Sequence, residues 1–216
     1  CLRPRSERGL QRVERLPGNI GYLDLRFFDD PDLGGETAAA AMSLLGNSDA
    51  LIIDLRRNIG GEPSMIAFLT SYLFAGEPVH LNDIYWRPDD STHQFWTLPY
   101  VPGPRLHGKD VYVLTSHDTF SGGEEFANNL KVLRRATLIG EVTGGGAHPS
   151  ELRRISEHFG VVVPAGRAIN PITKTNWEGI GVKPDIEIPA AQALAHARVL
   201  ALQKAVARAT DARLRG

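Results

Sequence analysis

Cysteine is almost absent from this 216-residue chain, which carries a single one, Cys1, at its first position. One thiol cannot form a disulfide within the chain, so a packed core rather than a disulfide framework must hold the fold. Long hydrophobic runs are also lacking, and none approaches the roughly 18 residues that a membrane-spanning helix requires. The sequence therefore predicts no disulfide-rich domain and no transmembrane segment, and it leaves the cellular compartment open.

An excess of charge of either sign is missing as well, since 24 Lys and Arg residues face 25 Asp and Glu residues. Without a basic field, we expect no nucleic-acid partner. The histidines share no common spacing, and the sequence contains neither an HExxH nor a CxxC pattern, so we predict no metal site and no cofactor. What the chain does have is 42% hydrophobic residues, enough to bury a full-sized core in one domain.

The first 18 residues form a basic lead that contains several arginines but no apolar segment of the kind found in signal peptides. We expect residues 1–18 to be a truncated or processed start. Residues 19–216 are expected to form a single domain that ends in a helix. Cys1 would also fit a lipidated mature end, and an exported or periplasmic location would follow if an upstream segment had been removed.

Short apolar runs alternate with helical segments through the rest of the chain. Residues 50–55 are almost entirely apolar, which is typical of a strand covered on both faces in a parallel sheet. A strand, a helix and a second buried strand in this order form a right-handed crossover unit. The sequence therefore predicts an α/β fold with a mostly parallel central sheet. Its strands are expected over residues 19–28, 50–55, 111–115, 136–141 and 186–188, with hairpins over 79–98 and 153–163.

Four helices are expected between and after these strands. The last begins at Pro189 and is predicted to be amphipathic. Its apolar stripe would consist of Leu194, Val199, Leu202 and Val206. The other three are expected over residues 36–45, 63–76 and 121–135.

The stretch 111–130 passes from an apolar strand through a polar turn into a helix that starts at Ser121. At a helix start, backbone N–H groups lack partners and the helix dipole favours negative charge. Gly122 and Gly123 leave room for a substrate carbonyl to approach the backbone, as a nucleophile beside an oxyanion hole requires. An ordinary N-cap serine is the alternative, with Glu124 completing a capping box and Glu125 matching the dipole.

A second glycine turn follows the strand that ends at Leu55. Gly60 and Gly61 lie between that strand and a helix that begins at Pro63. Because neighbouring parallel strands end at the same edge of a sheet, the two turns are expected to open side by side, where α/β sheets place their sites. We expect the amides of the Gly60–Gly61 turn to converge on the Ser121 hydroxyl.

Three stretches around these turns resemble the carboxyl-terminal processing (tail-specific) serine peptidases, above all the branch that includes interphotoreceptor retinoid-binding protein and the tricorn core protease. A fourth match, GIGVKPD at residues 179–185, is similar to the end of the same domain. The resemblance implies a crotonase/ClpP-like superhelix of stacked β-β-α units. It also implies Ser121 as nucleophile, with an oxyanion hole formed by the N–H of Gly122 and one from Gly60 or Gly61. The three stretches are LIIDLRRNIGG at 51–61, TFSGGEEFA at 119–127 and IGEVTGGGAHP at 139–149.

The general base departs from the family pattern. The tail-specific branch uses a lysine at a position that Gly146 holds here, and the loop 141–149 contains no lysine. The tricorn-like branch takes a histidine from a segment upstream of the first strand, together with a late glutamate that Glu178 matches best. Within this chain, His148 is the candidate base, and His117 is a weaker one because it lies only four residues before Ser121.

The sequence thus predicts a serine endopeptidase that cleaves a peptide or protein substrate through an acyl-enzyme. The alternative is a catalytically impaired module of the same fold that binds a hydrophobic ligand or a peptide. A crotonase-type acyl-CoA enzyme would share the fold but not the ordered motifs, and the sequence leaves a homo-oligomer open. The candidate catalytic residues are Ser121, His148 and Glu178, and the candidate oxyanion-hole residues are Gly122, Gly60 and Gly61.

Overall fold

Strands and helices alternate along the chain in the computed structural model, which describes residues 9–215 except for the side chains of residues 209 and 211–215. Cys1 and the first part of the basic lead lie outside the described residues. In chain order the elements are β1 (Leu10–Leu16), β2 (Ile20–Leu25), α1 (Pro31–Leu45), β3 (Ala50–Asp54), α2 (Pro63–Ser71), β4 (His80–Trp86), β5 (Ser91–Trp96), β6 (Asp110–Thr115), α3 (Gly122–Val132), β7 (Thr137–Gly140), β8 (Ser150–Arg154), β9 (Gly160–Pro164), β10 (Gly166–Ile169), β11 (Ile186–Glu187) and α4 (Ala190–Arg215).

The apolar runs form one six-stranded sheet in the order β1-β2-β3-β6-β7-β11. From β2 to β11 every neighbouring pair is parallel, with Ile52 opposite Tyr112 and Leu114 opposite Ile139. β1 pairs antiparallel with β2 at one edge. The prediction of an α/β fold with a mostly parallel central sheet is therefore confirmed. A smaller antiparallel sheet, β10-β4-β5, and the hairpin β8-β9 complete the fold.

Helices cover both faces of the central sheet and create two hydrophobic cores. The first core includes Ile53 and contains side chains of α1, α2 and α3, such as Phe126. The second includes Ile52 and contains side chains of α4. Ile52 and Ile53 point to opposite faces because side chains alternate along a strand. Burial on both faces explains why β3 is apolar almost throughout.

The apolar stripe predicted for α4 is wrong for three of its four residues, and only Leu194 of the four packs against the second core. Val199 and Val206 are 51% and 65% exposed, and Leu202 is also exposed. Residues four positions apart share a helix face, and here that face carries alanines, whose small side chains allow the helix backbone to lie close to the sheet. The buried face of α4 consists of Ala193, Ala197 and Ala201.

No helix in the described part of the chain is both long and apolar enough to cross a membrane.

The sequence does not predict β1 and β10. β1 lies within the basic lead, where apolar residues recur every third position rather than in strand alternation, and its residues are only partly buried. β10 has four residues, too few for a clear period. It matters for the site because it pairs with β4 and places Ala168 opposite Ile84.

Candidate active site

The turns that follow β3 and β6 open at the same edge of the sheet and adjoin each other. A Cβ built on Gly60 would lie 2.8 Å from the Cβ of Ser121 and 3.1 Å from its Oγ. A Cβ built on Gly122 would lie 3.0 Å from the backbone nitrogen of Gly61. Separations this short require glycine, which has no Cβ, at both positions. The two turns therefore meet at Ser121, as their places after parallel strands predict.

Asn58 ties the two turns together. Its carbonyl oxygen accepts a 2.9 Å hydrogen bond from the Phe120 N–H. Its side-chain Nδ2 donates to the Leu25 carbonyl, and its Oδ1 accepts from the Gly60 N–H, both at 2.9 Å. Asparagine is favoured in turns because its side chain can bond to the backbone two residues on. The buried Asn58 thus fixes the glycine turn against the strand β2 and against the residue that precedes Ser121.

Ser121 occupies an unusual backbone conformation, with φ 52° and ψ −119°, at the residue before α3. A positive φ is rare for any residue but glycine, and conformations of this kind cost about 1–3 kcal/mol. The surrounding hydrogen bonds enforce it, and strained residues of this type cluster at functional sites. A serine held in strain at a sharp turn from a strand into a helix is also the geometry of the nucleophile elbow.

Two backbone donors remain available beside Ser121. The Gly60 N–H is already used by Asn58. In contrast, no hydrogen-bond partner within residues 9–215 accepts from the N–H of Gly61 or of Gly122. Sequence reasoning left Gly60 and Gly61 as equal candidates for the oxyanion hole, and of the two only the Gly61 N–H is unpaired among the described residues.

Glu124 does more than cap the helix. It is fully buried, and one carboxylate oxygen accepts from the Ser121 N–H at 2.8 Å. The same carboxylate also accepts from the Thr143 hydroxyl at 2.6 Å and from the amides of Gly145 and Gly146 at 2.7 and 2.8 Å. Glu124 therefore fixes the triple-glycine loop next to the serine. The sequence signal for this contact is the loop itself, since glycine amides leave room for a carboxylate to approach.

His148 and Glu178 lie next to each other. The Nδ1 of His148 is 3.7 Å from the Oε2 of Glu178, and both side chains are about half-exposed. The same Oε2 accepts a 2.6 Å hydrogen bond from the Ala147 N–H, which anchors the glutamate to the loop. Among the side chains that the structure describes, no histidine or lysine nitrogen forms a hydrogen bond with the Ser121 hydroxyl. His117 lines a different cleft, with Arg56.

Ser121 and Gly122 line a cleft of about 280 Å³. Its walls combine polar and apolar groups, and they come from parts of the chain that are distant in sequence. The wall residues include Ile84, Trp86, Ala147, Ala168 and Trp177.

No group of three or more His, Cys, Asp or Glu side chains arranged to hold a metal ion occurs among the described residues.

Glu125 also lines this cleft, and sequence reasoning missed its role. The sequence suggested a carboxylate that matches the helix dipole, and the structure shows in addition that the residue is only 5% exposed. Its Oε1 has no hydrogen-bond partner. Burial raises the pKa of Glu125 to about 7, and the nearby Asn82 amide offsets part of that rise.

The chain is similar to known peptidases in sequence and in structure. The profile of peptidase family S41 matches residues 19–188. The chain is similar to carboxyl-terminal-processing peptidase 2, chloroplastic, of Arabidopsis thaliana, with 29% identity over 192 residues that cover 82% of this chain and 35% of the relative. The chain thus spans about a third of the length of the curated relatives that it matches.

Solved structures share the fold. The photosystem II D1 C-terminal processing protease has a TM-score of 0.61 and 23% identity, over 81% of this chain and 45% of that one. A lipoprotein from Streptococcus agalactiae has a TM-score of 0.67 and 15% identity, over 91% of this chain and 70% of that one. At such identities the likeness concerns the fold, and it confirms the predicted crotonase/ClpP-like α/β architecture.

Proposed function

Because this chain belongs to peptidase family S41, we propose that it is the catalytic part of a serine endopeptidase in which Ser121 is the nucleophile. The observation that carries the proposal is the strained backbone of Ser121, with φ 52°, between two glycine turns. Ser121 and Glu124 also form the capping box of α3. An ordinary N-cap has extended backbone angles without strain, so capping alone does not explain the positive φ.

The proposed reaction follows from the groups around Ser121. Its Oγ attacks the carbonyl carbon of the scissile peptide bond while a base takes the hydroxyl proton. The oxygen of the tetrahedral intermediate accepts hydrogen bonds from the N–H groups of Gly122 and Gly61. The base then gives its proton to the leaving amine as the C–N bond breaks, which leaves an acyl-enzyme on Ser121. Water releases the acid product by the same steps and restores the serine.

Glu178 is the proposed orienting carboxylate. It lies beside the Nδ1 of His148, which is the order that a carboxylate and a histidine have in a serine triad. His148 is therefore our candidate base, and this role requires its other nitrogen to reach the Ser121 hydroxyl in the substrate complex. A histidine from outside this chain is the second candidate, because the relatives are about three times as long. Loss of peptide hydrolysis in His148→Ala would support the first candidate, and retained hydrolysis would support the second.

The proposed substrate is a peptide or protein, bound extended beside the strand edge near Gly60 and Gly61. A second candidate function is a peptide-binding module of the same fold without turnover. The observation in its favour is that no histidine or lysine nitrogen of the described side chains bonds to the Ser121 hydroxyl. The two candidates differ in whether Ser121 reacts.

Reactivity of Ser121 is tested with a fluorophosphonate probe, which labels activated serines. We expect the wild type to be labelled and Ser121→Ala to lose all labelling. Ser116→Ala is a suitable control because that serine lies in the same turn region but not in the cleft. Equal labelling of wild type and Ser121→Ala would show that Ser121 is not the nucleophile. A wild-type protein that binds peptide but is not labelled by the probe would support the peptide-binding module without turnover.

A further inference from the structure

The cleft beside Ser121 contains a carboxylate at a defined distance along α3. Glu125 follows Ser121 by four positions, so the two residues lie on the same side of the helix, one turn apart. Both line the cleft. A substrate side chain that enters the cleft next to the reacting carbonyl would therefore point towards Glu125.

Glu125 lacks a partner for its Oε1, although it is 95% buried. Buried polar atoms without hydrogen bonds are rare in proteins. Asn82, fully buried on β4, lies close enough for its amide to favour the ionised form of Glu125, but the contact does not meet hydrogen-bond geometry and both amide atoms lack partners. Asn129, one turn further along α3, is in the same condition. Of these three residues only Glu125 lines the cleft, so its Oε1 is the unsatisfied atom that a ligand in the cleft can reach.

The charge of the cleft has one sign. Its lining includes Glu125 in the interior and Glu62, whose side chain is exposed, and it includes no lysine, arginine or histidine among the described residues. The walls also carry two indole rings, of Trp86 and Trp177. Lysine and arginine side chains combine an apolar stem with a cationic head, and their heads are attracted to aromatic faces as well as to carboxylates. Shape, polarity and charge therefore match a basic side chain.

We propose that this cleft is a specificity pocket for a lysine or arginine side chain of the peptide substrate, whose cationic head pairs with Glu125. The proposal deepens the proposed function and rests on it, since it places the basic residue beside the bond that Ser121 attacks.

An apolar occupant is the competing possibility, and the unpartnered Oε1 of Glu125 argues against it. An apolar side chain that closes the cleft would offer that oxygen no hydrogen-bond donor and would drive Glu125 to its protonated form. A cationic head compensates the charge and supplies hydrogen-bond donors.

The test measures peptide binding, so that it does not depend on turnover. Fluorescence anisotropy at pH 8 measures the affinity of the Ser121→Ala protein for two labelled peptides. The peptides differ only in having lysine or norleucine at one position. Norleucine keeps the apolar stem and removes the charge. We expect the lysine peptide to bind at least about tenfold more tightly, as a charge-assisted hydrogen bond predicts. In Ser121→Ala/Glu125→Gln the preference should fall below about twofold.

Two further variants keep this test interpretable. Ser121→Ala/Glu36→Gln changes an exposed carboxylate on α1 in the same way and should retain the preference. Ser121→Ala/Glu125→Asp keeps a carboxylate and should retain part of it, which separates loss of charge from loss of folding.

Three results would overturn the proposal: equal affinity for both peptides, a lysine preference that survives Glu125→Gln, or no binding of either peptide. Its failure differs from failure of the proposed function. Ser121-dependent labelling without lysine preference would remove only the specificity pocket. Lysine preference without such labelling would leave a basic-peptide site and remove the peptidase assignment.

Discussion

Glu125 shows how the environment of one residue can change its chemistry. Its folded pKa of about 7 lies above its usual value of 4.5, because burial disfavours the charged form. A carboxyl group with a raised folded pKa binds its proton more tightly in the folded state. Its contribution to stability is therefore complete below about pH 4.5 and is lost as the pH rises through about 7. The difference is worth about 3 kcal/mol, at 1.36 kcal/mol per pKa unit.

Replacement of Glu125 by glutamine should remove this pH dependence, since the amide has similar size and does not titrate. We expect Glu125→Gln to become more stable relative to wild type by up to about 3 kcal/mol between pH 4.5 and pH 8. Urea unfolding at both pH values measures the change. Glu36→Gln, on the surface, should show no comparable shift. The same relative stability of Glu125→Gln and wild type at both pH values would refute the burial of an unpaired carboxylate.

The sequence identified several site residues but not their neighbours. Ser121, Gly60 and Gly61 could be found because each lies between a predicted strand and a predicted helix, where backbone amides are free. The burial of Glu125 with an unpartnered Oε1 could not be predicted in the same way. It depends on Asn82 and the walls of the cleft, which tertiary packing brings from elsewhere in the chain.

Among the elements, the start of α3 and the triple-glycine loop act as one unit. Glu124 accepts hydrogen bonds from Ser121 at the helix start and from Thr143, Gly145 and Gly146 in the loop. A carboxylate that is fully buried is tolerated only when such donors satisfy it. Glu124 is therefore the side chain that joins the loop to the helix start, while Glu178 and Trp177 hold the loop from its other side.

Glu124→Gln should loosen this unit, because the side-chain NH2 group of glutamine would face backbone N–H groups that need an acceptor. We expect a loss of about 2–4 kcal/mol in the free energy of unfolding. Amide hydrogen exchange at Gly145 and Gly146 should accelerate, while Glu157→Gln, an exposed change on the β8-β9 hairpin, should leave both rates unchanged. Unchanged exchange at these two glycines in Glu124→Gln would contradict the anchoring role.

How far the elements could be predicted depended on their burial. Strands such as β3 were recognisable because both faces are covered, which requires a continuous apolar run. β1 was not, since an edge strand needs no such run. The face of α4 was misassigned because larger side chains, such as Val199, normally mark the buried side. Here the close approach of helix and sheet selects alanine, a choice that only the packing reveals.

At the scale of the whole molecule, one sheet connects two cores. Ile52 lies in the core covered by α4 and Ile53 in the core covered by the other helices. The two residues are adjacent and both nearly fully buried, at 0% and 2% exposure. Because both cores depend on the same strands, neither should persist when the other is lost.

Ile52→Ala and Ile53→Ala form a matched pair that tests this coupling. Each should lower the free energy of unfolding by about 2–5 kcal/mol and shift a single cooperative transition. Thermal unfolding followed by both far-UV and near-UV circular dichroism measures it. Two separate transitions in either variant would indicate cores that unfold independently.

The central claim, that two glycine turns enclose a reactive Ser121, is tested most directly by a crystal structure of the chain after reaction with a fluorophosphonate. We expect phosphorus bonded to the Oγ of Ser121, with the phosphoryl oxygen about 2.7–3.1 Å from the backbone nitrogens of both Gly122 and Gly61. An adduct on another residue, or a phosphoryl oxygen that contacts neither amide, would contradict the claim.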